Sequence, residues 1–63
     1  MVIVEKQDDG TTILRGRSPR NRVHVPWWPC SEGTIRTAAM RSTSESFIKE
    51  CAAVADDARQ LKD

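Results

Sequence analysis

Near the end of the chain, Phe47, Ile48, Cys51, Val54, Ala55, Ala58 and Leu61 recur at three- and four-residue spacing. That period places them on one side of a helix, while Lys49, Glu50, Asp56, Asp57 and Gln60 fall largely on the other. Ser42-Thr43-Ser44-Glu45 precedes the stripe and offers several N-caps, with Ser42 and Glu45 in capping-box spacing. Glu45 and Lys49 stand four apart in the favourable orientation. The pattern predicts a helix over about residues 43–62. A helix with one apolar stripe must bury it, so the rest of this short chain has to supply the covering layer.

What remains is written mostly in strand residues. Val2-Ile3-Val4 and Thr11-Thr12-Ile13-Leu14 flank Gln7-Asp8-Asp9-Gly10, which has turn chemistry. Strands are expected at about 1–6 and 11–15. Gly16 to Asn21 reads as a loop punctuated by Gly and Pro. Arg22-Val23-His24-Val25-Pro26-Trp27 alternates in period two, predicting a strand over about 22–27 with Val23, Val25 and Trp27 on one face. Pro26 cannot donate to a ladder, so this strand lies at an edge or ends there. Residues 34–41 mix Thr34, Ile35 and Thr37 with Ala38, Ala39, Met40 and Arg41. The balance tips to a fourth strand at about 34–40, with a short helix as the alternative. The expected fold is α+β: a three- or four-stranded antiparallel sheet with one C-terminal helix packed on one face, in a single domain spanning 1–63.

Sixty-three residues rarely build a core worth more than roughly 3–5 kcal/mol. Each of the two tryptophans therefore matters. Adjacent residues on an extended chain face opposite ways, so Trp27 is expected to follow Val23 and Val25 into the core near Phe47 or Val54. Trp28 is then expected on the outer surface or the rim. Trp and Arg are the residue types most enriched at binding hot spots.

Charge is distributed unevenly. The net charge is +1, yet residues 14–41 hold six arginines against Glu32 alone, and both flanks are acidic. Guanidinium groups suit bidentate contacts to phosphate or carboxylate. Arg15, Arg17, Arg20 and Arg22 cluster about one loop, with Arg36 further along. These five and Trp28 are the candidate binding residues. Four phosphate contacts would give a log–log salt slope of about −3.6.

Reaction chemistry has little to work with. The chain holds one histidine, His24, and no tyrosine, and its glycines are isolated turn residues. A Cys–His pair from Cys30 or Cys51 with His24 lacks an orienting third group. The spacings of His24, Cys30 and Cys51 match no compact zinc unit. No catalytic residue, metal or cofactor is expected. No stretch has the roughly 20 apolar residues of a membrane span, and no apolar leader region is visible. Two cysteines fit reduced thiols in a cytoplasmic protein.

The expected function is therefore binding: a protein–protein interaction module or inhibitor of the kind phages and mobile elements use as regulators and counter-defence proteins. It would use a basic, Trp-bearing surface. The alternative is a nucleic-acid binder, with Arg15–Arg22 on phosphates and Trp stacking on bases. An unpaired sheet edge also offers a route to a homodimer.

Overall fold

The computed structural model describes residues 1–39 and 41–61. Three strands, β1 (Ile3–Lys6), β2 (Thr12–Arg15) and β3 (Arg22–Val25), form an antiparallel meander in the order β1-β2-β3. Helices α1 (Glu32–Ala38) and α2 (Glu45–Gln60) follow. The α+β architecture is as expected, with two helices in place of one.

Both hairpins follow from local chemistry. Gly10 closes the first turn at a φ of 90°, a conformation that costs any side-chain-bearing residue but not glycine. Asp9 braces it, its carboxylate accepting from the Thr11 backbone N–H at 3.0 Å and the Thr11 hydroxyl at 2.6 Å. The second loop turns at Ser18-Pro19-Arg20-Asn21, where the Asn21 N–H donates to the Ser18 carbonyl at 2.9 Å. Pro19 at the second position suits that turn.

Register divides the sheet into two faces. Leu14 pairs with Val23 and Thr12 with Val25, and all four are buried on the helix side. Leu14, Val23, Val25, Ile35, Phe47, Ile48, Cys51 and Ala55 form one core together with Cys30. Each large aliphatic or aromatic member contributes about 1.5–3 kcal/mol by leaving water. The opposite face carries Ile3, Glu5, Ile13, Arg15, Arg22 and His24, set by the pairs Ile3–Arg15, Glu5–Ile13, Ile13–His24 and Arg15–Arg22.

The segment expected as a fourth strand at 34–40 is helical through Ala38. Ser31 caps α1, its hydroxyl accepting from the Thr34 N–H at 3.3 Å, and Glu32 sits in the first turn. Burial of Ile35 against the core outweighs the strand preference of Thr34, Ile35 and Thr37. Only a single bridge, Ala39 to Val23, remains of the strand, and Met40 lies outside the described residues. In α2 the cap is Ser44, not Ser42: its hydroxyl accepts from the Phe47 N–H at 3.2 Å. Phe47, Ile48, Cys51 and Ala55 are buried as the stripe implied. Leu61 follows the last turn and is 85 % exposed, so the stripe stops short of it.

The third strand ends at Val25, two residues before its expected limit. Pro26 has no N–H for the ladder, so the alternation cannot continue into the indoles. The expected placement is consequently reversed: Trp27 is 77 % exposed, whereas Trp28 is half-buried against the core. The Trp28–Pro29 peptide is cis.

Candidate functional site

Two arginines bound the second hairpin. Arg15 ends β2, Arg22 begins β3, and the register sets them directly opposite one another on the open face of the sheet. Like charges in that relation repel. Glu5 answers one of them, its carboxylate lying 3.0 Å from Arg15 Nε, with both side chains about half exposed. Arg17, from the loop, joins the pair around an open cleft of about 390 Å³ lined also by Gly16, Ser18 and Asn21. Among the described residues, no carboxylate lies within ion-pair distance of Arg17, Arg20 or Arg22.

The loop is held from below. The Gly16 N–H donates to the Asn21 carbonyl at 2.8 Å, closing its base. Asn21 Oδ1 accepts from the Ser44 N–H at 3.2 Å, and the Thr43 hydroxyl donates to the Arg20 carbonyl at 3.4 Å. Those two bonds fasten the arginine loop to the start of α2. At the tip, Ser18 Oγ accepts from the Arg20 N–H at 3.3 Å.

The remaining candidates lie elsewhere. Arg20 sits on the turn, exposed and outside the cleft lining. Arg36 on α1 is bound to Glu32 at 2.9 Å and Glu45 at 2.6 Å. Those two carboxylates push its pKa up, and Arg36 holds the Glu45 carboxyl below its ordinary range. It ties the two helices together and adds no open charge to the loop. The exposed indole belongs to Trp27, two residues beyond the end of β3 opposite Arg22. The strand alone separates those ends by about 10 Å. Sequence reasoning missed Gly16, Ser18 and Asn21 as the frame of the cleft; the signal available was that they share one loop with the arginines.

His24, Cys30 and Cys51 are not brought together. His24 projects from the open face, while both cysteines are buried in the core on the other side of the sheet. Burial raises the pKa of each thiol, that of Cys51 to about 11. Arg59 donates to the Cys30 carbonyl, binding that loop to α2. The Thr11 hydroxyl gives its proton to Asp9 and accepts from His24 Nε2 at 2.7 Å, which assigns that ring nitrogen the proton. No group of three or more His, Cys, Asp or Glu side chains suited to a metal occurs among the described residues. Nor is any described helix long and apolar enough to cross a membrane. No family model, curated protein or solved structure matches the chain.

Proposed function

We propose that the protein is a small non-enzymatic binding module of the cytoplasm, acting as an inhibitor or regulator by gripping an acidic surface on a partner protein. The observation that carries this reading is the cross-strand pair Arg15–Arg22 with Arg17 beside it, three guanidinium groups answered by one carboxylate. A partner's acidic group relieves the repulsion that the fold itself creates. Trp27 supplies a second, apolar contact at the other end of β3, replacing Trp28 in that role because Trp28 is already half committed to the core.

The test is capture of a partner from lysate of the native host by the wild type and by the double variant Arg17→Glu/Arg22→Glu. Both side chains are exposed, so circular dichroism should be unchanged while capture is lost. Capture that survives charge reversal overturns the reading. Nucleic acid is the second reading, favoured by the all-arginine composition of the loop. It requires a shift of single- or double-stranded oligonucleotides at about 50 mM salt that is released by about 300 mM.

A further inference from the structure

Resting on that reading, we infer that the Arg15–Arg17–Arg22 cleft is a receptor for a single phosphate monoester borne on a side chain of the partner protein. Charge is the first argument. Three arginines line the cleft and Glu5 offsets one, leaving two positive charges on a few residues. A carboxylate or a phosphodiester brings one negative charge. A phosphate monoester brings about 1.5 to 2 near pH 7, with three acceptor oxygens for forked donors.

Donor geometry is the second argument. Arg15 and Arg22 stand opposite one another on adjacent strands, and Arg17 comes from the loop between them, so three arginines border one cleft. Ser18 Oγ already accepts from the Arg20 N–H, and among the described residues its own proton has no acceptor. It is free to donate to a phosphoryl oxygen. The Gly16–Asn21 bond closes the loop, and Thr43 and Ser44 fasten it to the start of α2, so little ordering is required when the anion arrives.

The surroundings distinguish a point receptor from a polyanion track. Beyond Arg15 and Arg22 the open face continues as Ile13, His24 and Glu5, with no further lysine or arginine. Arg36, the next candidate cation in the basic segment, is consumed by Glu32 and Glu45. Arg20, exposed on the turn, adds one open charge beside the cleft, so singly charged diesters would find cations on this loop and none along the rest of the face.

The test is a titration of the full isotope-labelled chain, followed through backbone amide and arginine side-chain signals, at fixed ionic strength and about pH 7.5. The probes are N-acetyl-O-phosphoserine amide, its methyl phosphodiester, N-acetyl-aspartate amide and inorganic phosphate. The monoester should produce saturable shifts centred on residues 15–22, at least about tenfold tighter than the diester or the carboxylate, with inorganic phosphate perturbing the same signals. Arg17→Gln and Arg22→Gln should each weaken it about fivefold or more, while Arg41→Gln leaves it unchanged. Absent shifts, or equal affinity for carboxylate and monoester, overturn the inference. A 5′-phosphorylated dinucleotide binding about tenfold tighter than the phosphoserine probe overturns the protein-borne source. Failure here, with partner capture still lost in the charge-reversed variant, removes the phosphate and leaves the acidic-surface reading standing. Monoester binding with capture indifferent to charge reversal does the opposite.

Discussion

Gly16 lies so close to Phe47 that a Cβ on it would stand 2.8 Å from the ring's Cε1 and 2.8 Å from Asn21 Cβ. The arginine loop thus rests directly on the largest buried side chain of the core. Neither obstacle is the far end of a flexible chain. Gly16→Ala should destabilise the protein by about 1–3 kcal/mol, as overpacking does elsewhere. Each kcal/mol corresponds to a fall of about 4–8 °C in Tm for a domain of this size. Gly10→Ala meets open space and carries only the cost of its positive φ, about 1–2 kcal/mol. Thermal melts of the two variants check this, and the shifts of residues 15–22 should change only in the first.

The two indoles should behave as opposites. Trp27→Ala is expected to alter stability by no more than about 0.5 kcal/mol, as at other exposed positions. Trp28→Ala removes packing from the core and should cost about 1–3 kcal/mol. In single-Trp variants made by replacing the other indole with Phe, fluorescence from Trp27 should be readily quenched by acrylamide and that from Trp28 poorly. Equal quenching would contradict the arrangement.

Both thiols are shielded in the folded state. Native protein should react with a disulfide reagent only slowly at about pH 8, and fully once denatured, because the thiolate is the reactive form. Linkage follows from the same burial. Cys51 keeps its proton in the folded chain to about 11 against an ordinary 9.0, so above 9 the unfolded state binds fewer protons. Its contribution is complete below that value and declines as pH climbs towards 11. Urea titrations should show the decline, and Cys51→Ala should flatten it.

Acid acts on different groups. Arg36 depresses Glu45, and the Thr11 hydroxyl and amide depress Asp9. A carboxyl with a lowered folded pKa stabilises above its unfolded value and loses that effect as pH falls through the folded one. Stability should therefore drop below the ordinary carboxylate values of 4.5 and 3.8. Replacing Arg36 with Gln should remove the Glu45 part of the drop and leave that of Asp9. These groups lie at the surface, so added salt should shrink the Glu45 part.

The first hairpin and α2 were legible because their signals are local: Gly10 between two β-branched runs, and an apolar period that matches the helix. The loop between β2 and β3 was legible as a loop, but not as a cleft, since that depends on the register that sets Arg15 opposite Arg22. Helix α1 was obscured by the strand-forming Thr34, Ile35 and Thr37; Ser31 as a cap and the Glu32–Arg36 spacing were the marks of a helix. The tryptophans were exchanged because alternation was carried across Pro26, where the ladder has no donor. Local rules hold up to such a break, and beyond it the core decides.

Asn21 accepts from Ser44, Ser44 caps α2, and Phe47 one turn later supports Gly16. Loop and helix start therefore form a closed mechanical circuit. Whatever steadies the loop steadies the opening turn of the final helix as well. Occupancy at one corner of this small molecule becomes readable as slowed amide exchange around Phe47, with no moving part required between them.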